Sequence, residues 1–147
     1  MRAVCQRVSE ARVRVDGAVV GQIGSGLCVL LGVARGDSDE AAVALAGKIA
    51  RLRIFPDDGG RFDRSLLDVG GAALVVSQFT LLADSRRQKG TRPDFSTAAP
   101  KEDAEPLYER FCEELRTLGV RIEAGIFGAY MQLELLNDGP VTIILDG

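Results

Sequence analysis

The amino-acid sequence predicts a single α+β domain in which two helices pack on a mainly antiparallel, barrel-like β-sheet. Its 147 residues suit one domain with a substantial core. About seven segments carry the apolar or alternating patterns of strands, whereas two carry helical periodicity. Because strands and helices do not alternate regularly, the order favours α+β over a parallel α/β sheet. No linker or change in composition divides residues 1–147, so we treat them as one domain.

The first three strands are predicted from alternation and from turn residues. Apolar residues alternate with polar ones from Val4 to Val15, which indicates a half-buried strand. Asp16-Gly17 is typical of a tight hairpin turn and leads into a second strand, Ala18 to Ile23. Leu27 to Val33 is continuously apolar, as expected of a central strand.

Two amphipathic segments are predicted to be helices. Ser38 is followed by two acidic residues, which is typical of a capped N-terminus, and the apolar periodicity continues to about Arg53. A second amphipathic pattern covers roughly 101–118. Pro106 lies inside this pattern and predicts either a helix start near Asp103 or a kink.

The remaining strands lead into two polar segments. Ala72 to Val76 is apolar and is followed directly by Ser77-Gln78-Phe79-Thr80, a position where functional sites tend to lie. The last three strands are predicted at 120–126, 131–136 and 141–145. The loop Asn137-Asp138-Gly139-Pro140 between the last two contains a hairpin signal, and an X-Pro bond can adopt the cis form at little cost. On this pattern alone the loop is a turn.

The most restrictive feature of the composition is the lack of histidine. It excludes Ser-His-Asp and Cys-His nucleophile systems and most catalytic zinc sites. Cys5, Cys28 and Cys112 are odd in number and lack CxxC spacing, so they are expected to be reduced, buried thiols. The aspartate-rich turns do not match a calcium-loop spacing. We therefore expect neither a metal nor another cofactor.

Hydropathy and charge limit the partners. The sequence lacks an apolar stretch of membrane-spanning length and a signal peptide, so we expect a cytoplasmic protein without a membrane partner. A net charge of −3 argues against general coating of nucleic acid, and DNA is not an expected partner. One basic cluster is either a solvated loop or a contact with the end of an RNA; its members are Arg86, Arg87, Lys89 and Arg92.

Four segments together resemble the D-aminoacyl-tRNA deacylase family, also called D-tyrosyl-tRNA deacylases. They are Met1-Arg2-Ala3-Val4 with Gln6-Arg7-Val8, Ser77-Gln78-Phe79-Thr80, Gly125 to Met131, and Asn137 to Thr142. The resemblance extends from the first residue to the last. It implies a symmetric homodimer that hydrolyses the ester of D-aminoacyl-tRNA as a proofreading step of translation. Glycine mischarged onto a tRNA for another amino acid is an expected further substrate.

The resemblance also implies roles for individual residues. The segment Ser77-Gln78-Phe79-Thr80 matches the wall of the pocket for the ester and the terminal adenosine of the tRNA. Phe127 and Met131 match residues near the adenine pocket. Judged by residue type alone, a phenylalanine or methionine in such a position is more often part of a core.

A second group matches the part of the family that selects chirality. Gly139 and Pro140 match a Gly-cisPro pair that reaches into the active site of the partner subunit and rejects L-aminoacyl substrates. Arg7 matches an arginine that braces this pair. Without the resemblance, Arg7 would be interpreted as an outward charge on an edge strand.

Three interpretations of the chemistry stay open. Ser77 or Thr80 is a nucleophile, in which case the base is a carboxylate or one of Lys48, Lys89 and Lys101, none at a recognised spacing. Alternatively, the segment only satisfies the backbone at a strand end. In the third interpretation, the ribose 2′-hydroxyl next to the ester helps to position water, and backbone N–H groups stabilise the oxyanion. The third best suits a chain without histidine.

The alternative function is a non-enzymatic module that binds RNA ends. It would explain the basic cluster and the missing acid–base residues, but not the acidic pI of about 5.0 or the Gly-Pro pair in a loop. Repeated turnover of D-aminoacyl-tRNA distinguishes an enzyme from such a module.

Overall fold

The computed structural model describes residues 1–147, which form eight strands and three α-helices. The strands are β1 Arg2–Val15, β2 Ala18–Ile23, β3 Gly26–Gly32, β4 Phe55–Pro56, β5 Phe62–Arg64, β6 Ala72–Ser77, β7 Arg121–Ala124 and β8 Gln132–Asp146. The helices are α1 Asp39–Ala50, α2 Leu66–Val69 and α3 Lys101–Thr117, and a 3₁₀ turn, Phe79–Leu82, follows β6. None of the helices has the length and apolar content of a membrane span.

Six strands form one mixed sheet. Its order is β2-β1-β3-β6-β7, and β8 pairs with β1 along the other edge of that strand. β1 is antiparallel to β2, β3 and β8, whereas β6 is parallel to both of its neighbours, β3 and β7. The sheet is therefore mixed, and the prediction of a mainly antiparallel sheet missed the parallel pairing of β3, β6 and β7. The reason is that the connections between these strands carry α1 and α3, and such crossovers join parallel strands.

The sheet curls until β2 approaches β7, which leaves a nearly closed barrel. At Gly21 on β2, a Cβ atom would lie only 2.8 Å from the carbonyl oxygen of Ala124 on β7. Glycine thus allows the backbones to approach at the seam. The barrel-like shape predicted from the sequence is confirmed.

Two apolar cores lie on the two faces of the sheet. The barrel interior holds eight buried residues: Val8, Ala11, Val13, Ile23, Cys28, Ala72, Leu74 and Val76. The larger core of 25 residues lies under α1 and α3, with Leu45, Phe111 and Leu115 essentially without solvent exposure. β3 and β6 contribute to both cores, which explains their continuously apolar sequences.

The helices follow the sequence signals, with one addition. Ser38 caps α1 as predicted, because its Oγ accepts a backbone hydrogen bond at 3.3 Å. The structure adds α2, whose single turn is closed by a reciprocal capping box between Ser65 and Asp68. A helix of four residues is too short to show periodicity, so the prediction of two helices missed it. α3 begins at Lys101, and Pro106 lies inside it.

The segment 137–141 is a bulge, and the predicted hairpin there is wrong. Leu136 pairs with Glu10 and Thr142 pairs with Gln6, so both flanks of the segment continue along the same edge of β1. Residues 137–141 therefore lie opposite residues 7–9, and the surplus of β8 protrudes from the ladder. The predicted strands 131–136 and 141–145 are two parts of one strand. Within the bulge, the Gly139–Pro140 peptide bond is cis.

The side chain of Asn137 replaces the ladder bonds that the bulge interrupts. The hydrogen-bonding network orients its amide so that the nitrogen donates to the carbonyl oxygens of Arg7, at 2.9 Å, and Val141, at 3.0 Å. The amide oxygen accepts from the hydroxyl of Thr142 at 3.0 Å. One side chain thus ties the bulge to β1.

Replacing Asn137 with aspartate should lower the free energy of unfolding by about 1–3 kcal/mol, because a carboxylate oxygen would then face two carbonyl oxygens. Urea denaturation at neutral pH measures the loss. The matched control is Gln132→Glu, an exposed amide-to-acid change on the same strand, for which we expect about 0.5 kcal/mol or less. Equal losses in the two variants would show that the added charge, and not the bridge, is responsible.

Candidate active site

A cavity of about 460 Å³ lies where the end of β6 meets the start of α3 and the segment before β8. Its walls are mostly apolar, with a few polar groups, as in sites for small ligands. β6 contributes Ser77, with Gln78 and Phe79 following it, and α3 contributes Lys101 and Ala104.

The first wall is formed by the end of β6 and the 3₁₀ turn. The backbone N–H of Gln78 donates to the carbonyl oxygen of Leu31 at 2.8 Å, which fixes the chain as it leaves the sheet. Thr80 is exposed and does not line the cavity; its hydroxyl accepts from the side-chain amide of Gln78. Phe79 and Thr80 are the first residues of the turn, so their backbone N–H groups have no partner within it. Of the two residues, Phe79 lines the cavity, so its N–H is a donor that a developing oxyanion can use.

Phe127 and Met131 form the opposite wall, and residues outside the cavity hold them in place. Gly125 makes room for Met131, because a Cβ atom at Gly125 would lie 2.5 Å from the Met131 sulfur. Phe127 packs at a tilt on Tyr108, with 5.5 Å between ring centroids. The Tyr108 hydroxyl donates to the carbonyl oxygen of Val75 at 2.8 Å, and burial raises its pKa. Sequence reasoning missed Tyr108, whose signal was a polar-tipped ring on the apolar face of a helix.

Of the three lysines considered as a base, only Lys101 lines the cavity. Its ammonium lies 3.9 Å from a carboxylate oxygen of Glu105, on the next turn of α3. Lys48 lies beside a different, open cavity, and Lys89 is in the basic cluster. Neither Ser77 nor Thr80 is hydrogen-bonded to a lysine or a carboxylate. The geometry therefore lacks the nucleophile–base pair that covalent catalysis requires.

The cysteines are unsuited to nucleophilic attack. All three are free and buried. Burial raises the pKa of Cys5 and of Cys28 to about 12 and that of Cys112 to about 11. The thiols are therefore protonated at neutral pH, whereas the reactive form is the thiolate.

Arg7 belongs to a separate cluster beneath the bulge. Its Nη1 donates to the carbonyl oxygen of Ile54 at 2.6 Å, and its Nε donates to that of Asp138 at 3.1 Å. The guanidinium carbon lies 5.6 Å from the centre of the Phe62 ring. The side chain is only 11% exposed, and β1 is paired along both edges. The interpretation of Arg7 as an outward charge on an edge strand is therefore wrong.

Gly139 packs against this arginine. A Cβ atom at Gly139 would lie 2.8 Å from a methyl carbon of Val141 and 3.0 Å from Nη2 of Arg7, and the backbone φ of 128° also disfavours other residues. Arg7, Gly139 and Pro140 do not line the cavity of their own chain. One chain thus brings Ser77, Gln78, Phe79, Phe127 and Met131 together, with Thr80 outside and the Arg7 cluster elsewhere.

Fold and cavity together define a barrel-like α+β domain with an apolar site bordered by backbone donors. Residues 4–146 match a family profile described as D-Tyr-tRNA(Tyr) deacylase. The chain is 65% identical over 146 residues to a D-aminoacyl-tRNA deacylase of Roseiflexus castenholzii, covering 99% of this chain and 92% of that protein. It is 60% identical to a protein of the same name from Dinoroseobacter shibae over the full length of both. The chain therefore belongs to the D-Tyr-tRNA(Tyr) deacylase family, as the sequence resemblance predicted.

Solved structures agree with the fold. A structure named c-Myc DNA Unwinding Element Binding Protein is 44% identical, with a TM-score of 0.92 over 100% of this chain and 99% of that one. A probable eukaryotic D-amino acid tRNA deacylase superposes with a TM-score of 0.83 over 98% and 97% of the chains. At 21% identity, this second likeness bears on the fold alone.

Proposed function

We propose that the chain hydrolyses the ester bond of D-aminoacyl-tRNA and releases the free D-amino acid and the tRNA, a proofreading step of translation. The observation that carries this proposal is the apolar cavity at the end of β6, in a member of this family, bordered by Ser77, Gln78 and Phe79. An apolar, concave site suits a purine ring, and its polar edge suits an ester.

The reaction uses water and needs no side-chain nucleophile. Water attacks the ester carbonyl carbon, and the backbone N–H of Phe79, which lines the cavity, stabilises the charge that develops on the carbonyl oxygen. The bond to the ribose 3′-oxygen then breaks, and that oxygen takes the proton that the attacking water gives up, leaving a carboxyl group on the free amino acid. The adjacent 2′-hydroxyl of the substrate positions the water. The protein contributes orientation, which alone can supply a large share of a rate enhancement.

A nucleic-acid-binding module without catalysis is the second candidate. The basic cluster favours it, as does the name of the structural neighbour at 44% identity. The two functions differ in what they do to the ester: a module that binds the RNA end shields it, and an enzyme cleaves it.

Incubating catalytic amounts of the protein with D-aminoacyl-tRNA should release many equivalents of free D-amino acid, measured with a radiolabelled amino acid. Glycyl-tRNA should be cleaved too, and L-aminoacyl-tRNA should not. The matched control is Ala129→Trp, which fills the cavity and should abolish release. Protection of the ester by the wild-type protein would favour the binding module.

The variants Ser77→Ala and Thr80→Ala should each retain activity within about tenfold of wild type, because neither hydroxyl has a base. A substrate with a 2′-deoxy terminal adenosine should react at least roughly a hundredfold more slowly, because it lacks the group that positions water. Single-turnover rates measure both effects. A loss of several orders of magnitude in a folded Thr80→Ala variant would instead support a covalent mechanism.

We further propose a symmetric homodimer in which Gly139 and Pro140 of one subunit complete the cavity of the other. Two observations support this: the pair lies outside its own cavity, and large apolar side chains are exposed on β8 beside the bulge. Leu136 is 59% exposed and Ile144 is 64% exposed, as expected of a face that a second copy covers.

In this arrangement the backbone of Gly139 and Pro140 acts as a filter of chirality. When the ester and the ammonium of the substrate are both fixed, the side chain of a D-residue points away from the pair. The side chain of an L-residue points into the pair and is rejected by a clash. Glycine has no side chain to clash, so it passes. Arg7 serves as the brace because it contacts both Asp138 and the β4 region.

A mixture of two inactive variants tests whether Gly139 and Pro140 of one subunit complete the cavity of the other. Gly139→Val should lose activity, because the new side chain overlaps Val141 and Arg7, and Ala129→Trp should lose it by filling the cavity. Refolding equal amounts together should restore roughly a quarter of the wild-type rate, since half of the dimers then contain one intact composite site. If the mixture stays as inactive as its components, each site belongs to a single chain.

A further inference from the structure

The segment 83–98, here called the basic loop, starts and ends at the cavity. It begins directly after the 3₁₀ turn that carries Phe79 and ends beside Ala99, and both of these residues line the cavity. The backbone N–H of Ala99 donates to the carbonyl oxygen of Val33 at 2.9 Å. The hydroxyl of Thr97 donates to the carbonyl oxygen of Leu82 at 2.8 Å. The loop is therefore attached to the mouth of the cavity on both sides.

Two further contacts fix the position of the loop, one with Phe79 and one across its own base. The rings of Phe79 and Phe95 meet edge to face, with 5.2 Å between centroids. The backbone N–H of Asp84 donates to the carbonyl oxygen of Asp94 at 2.9 Å, which closes the neck of the loop. A ligand that leaves the cavity on the side of Phe79 and Ala99 therefore passes this loop.

The four cations of the loop fall into two pairs. Arg86 and Arg87 are exposed but both pair with Asp84, whose carboxylate accepts from the Arg86 backbone at 2.9 Å and from its guanidinium at 3.1 Å. The Arg87 guanidinium lies 3.5 Å from the same carboxylate, whose side chain is only 10% exposed. The Arg86 side chain and its backbone N–H hold the pKa of Asp84 below its usual range. This pair maintains the shape of the loop.

Lys89 and Arg92 form the outer pair. They face each other in an antiparallel bridge across a tight turn in which Gly90 has a φ of 64°. Directly opposed residues of an antiparallel bridge project their side chains to the same face. Both side chains are exposed, and neither forms an ion pair with a carboxylate. The tip of the loop thus presents two uncompensated cations side by side.

We propose that Lys89 and Arg92 bind neighbouring backbone phosphates of the single-stranded 3′ end of the tRNA, where the strand leaves the cavity. The inference rests on the proposed function, which places the terminal adenosine in the cavity. In a chain with a net charge of −3, a local pair of cations at the tip of a loop anchored beside the cavity attracts the strand there without general binding of nucleic acid. Phosphate contacts position the strand and carry no sequence preference.

The test is the double variant Lys89→Gln/Arg92→Gln, with Lys48→Gln/Arg121→Gln as a control of equal charge. Arg121 is exposed at the end of β7 away from Ser77, and Lys48 lies beside the other cavity. Affinity for uncharged tRNA is measured by fluorescence across a salt series. The loop variant should bind about tenfold more weakly, and its slope of log K against log salt should be less steep by about 1.4, the value for two phosphates of a single strand.

Deacylation kinetics distinguish a loss of tRNA binding from a loss of catalysis. With D-aminoacyl-tRNA, the loop variant should show a raised KM and an unchanged kcat, and with D-aminoacyl-adenosine, which lacks the strand, it should match wild type. Wild-type affinity and salt slope in the loop variant would overturn the proposal, as would equal losses in the control. If the wild type binds tRNA through the loop but cleaves no D-aminoacyl ester, the proposed function fails and the phosphate contact stands.

Discussion

The continuous pairing of β8 along one edge of β1 is the constraint on which the rest of the structure depends. β2 and β3 share the other edge of β1, so this strand joins the barrel seam, the central sheet and the C-terminal strand. Because β8 keeps its direction on both sides of residues 137–141, its surplus residues have to protrude. Arg7 projects from β1 beneath them and Asn137 ties them down. The position of Gly139 and Pro140 is thus a consequence of strand register.

The parallel half of the sheet determines where the cavity lies. β3, β6 and β7 run in the same direction, so their ends meet at one side of the domain, and the cavity lies there. Its walls are apolar side chains and backbone, placed by packing contacts such as that of Phe127 on Tyr108. Without histidine or a reactive thiolate, a site of this kind suits the proposed mechanism, which depends on shape and fixed dipoles.

Local features were predictable from the sequence, and distant ones were not. The turn at Asp16-Gly17, the cap at Ser38 and the polar segment after β6 each depend on a few adjacent residues, and the structure shows all three. Other features depend on partners far away in the chain: the parallel pairing, the continuation of β8 along β1 and the place of Lys101 in the cavity. An Asp-Gly step favours a turn, but an available edge of β1 favours extension, and the edge prevails. The assigned roles of the site residues and the dimer stay predictions.

The place of β8 in the sequence has a consequence for biosynthesis. Translation delivers β1 first and β8 after every other element, so a nascent chain carries one long edge of β1 without its partner. An unpaired strand edge can pair with a strand of another chain. A ribosome-bound intermediate of this protein is therefore most exposed to intermolecular association just before its final strand emerges. The exposure to intermolecular pairing is greatest on crowded polysomes, because identical nascent chains lie close together there.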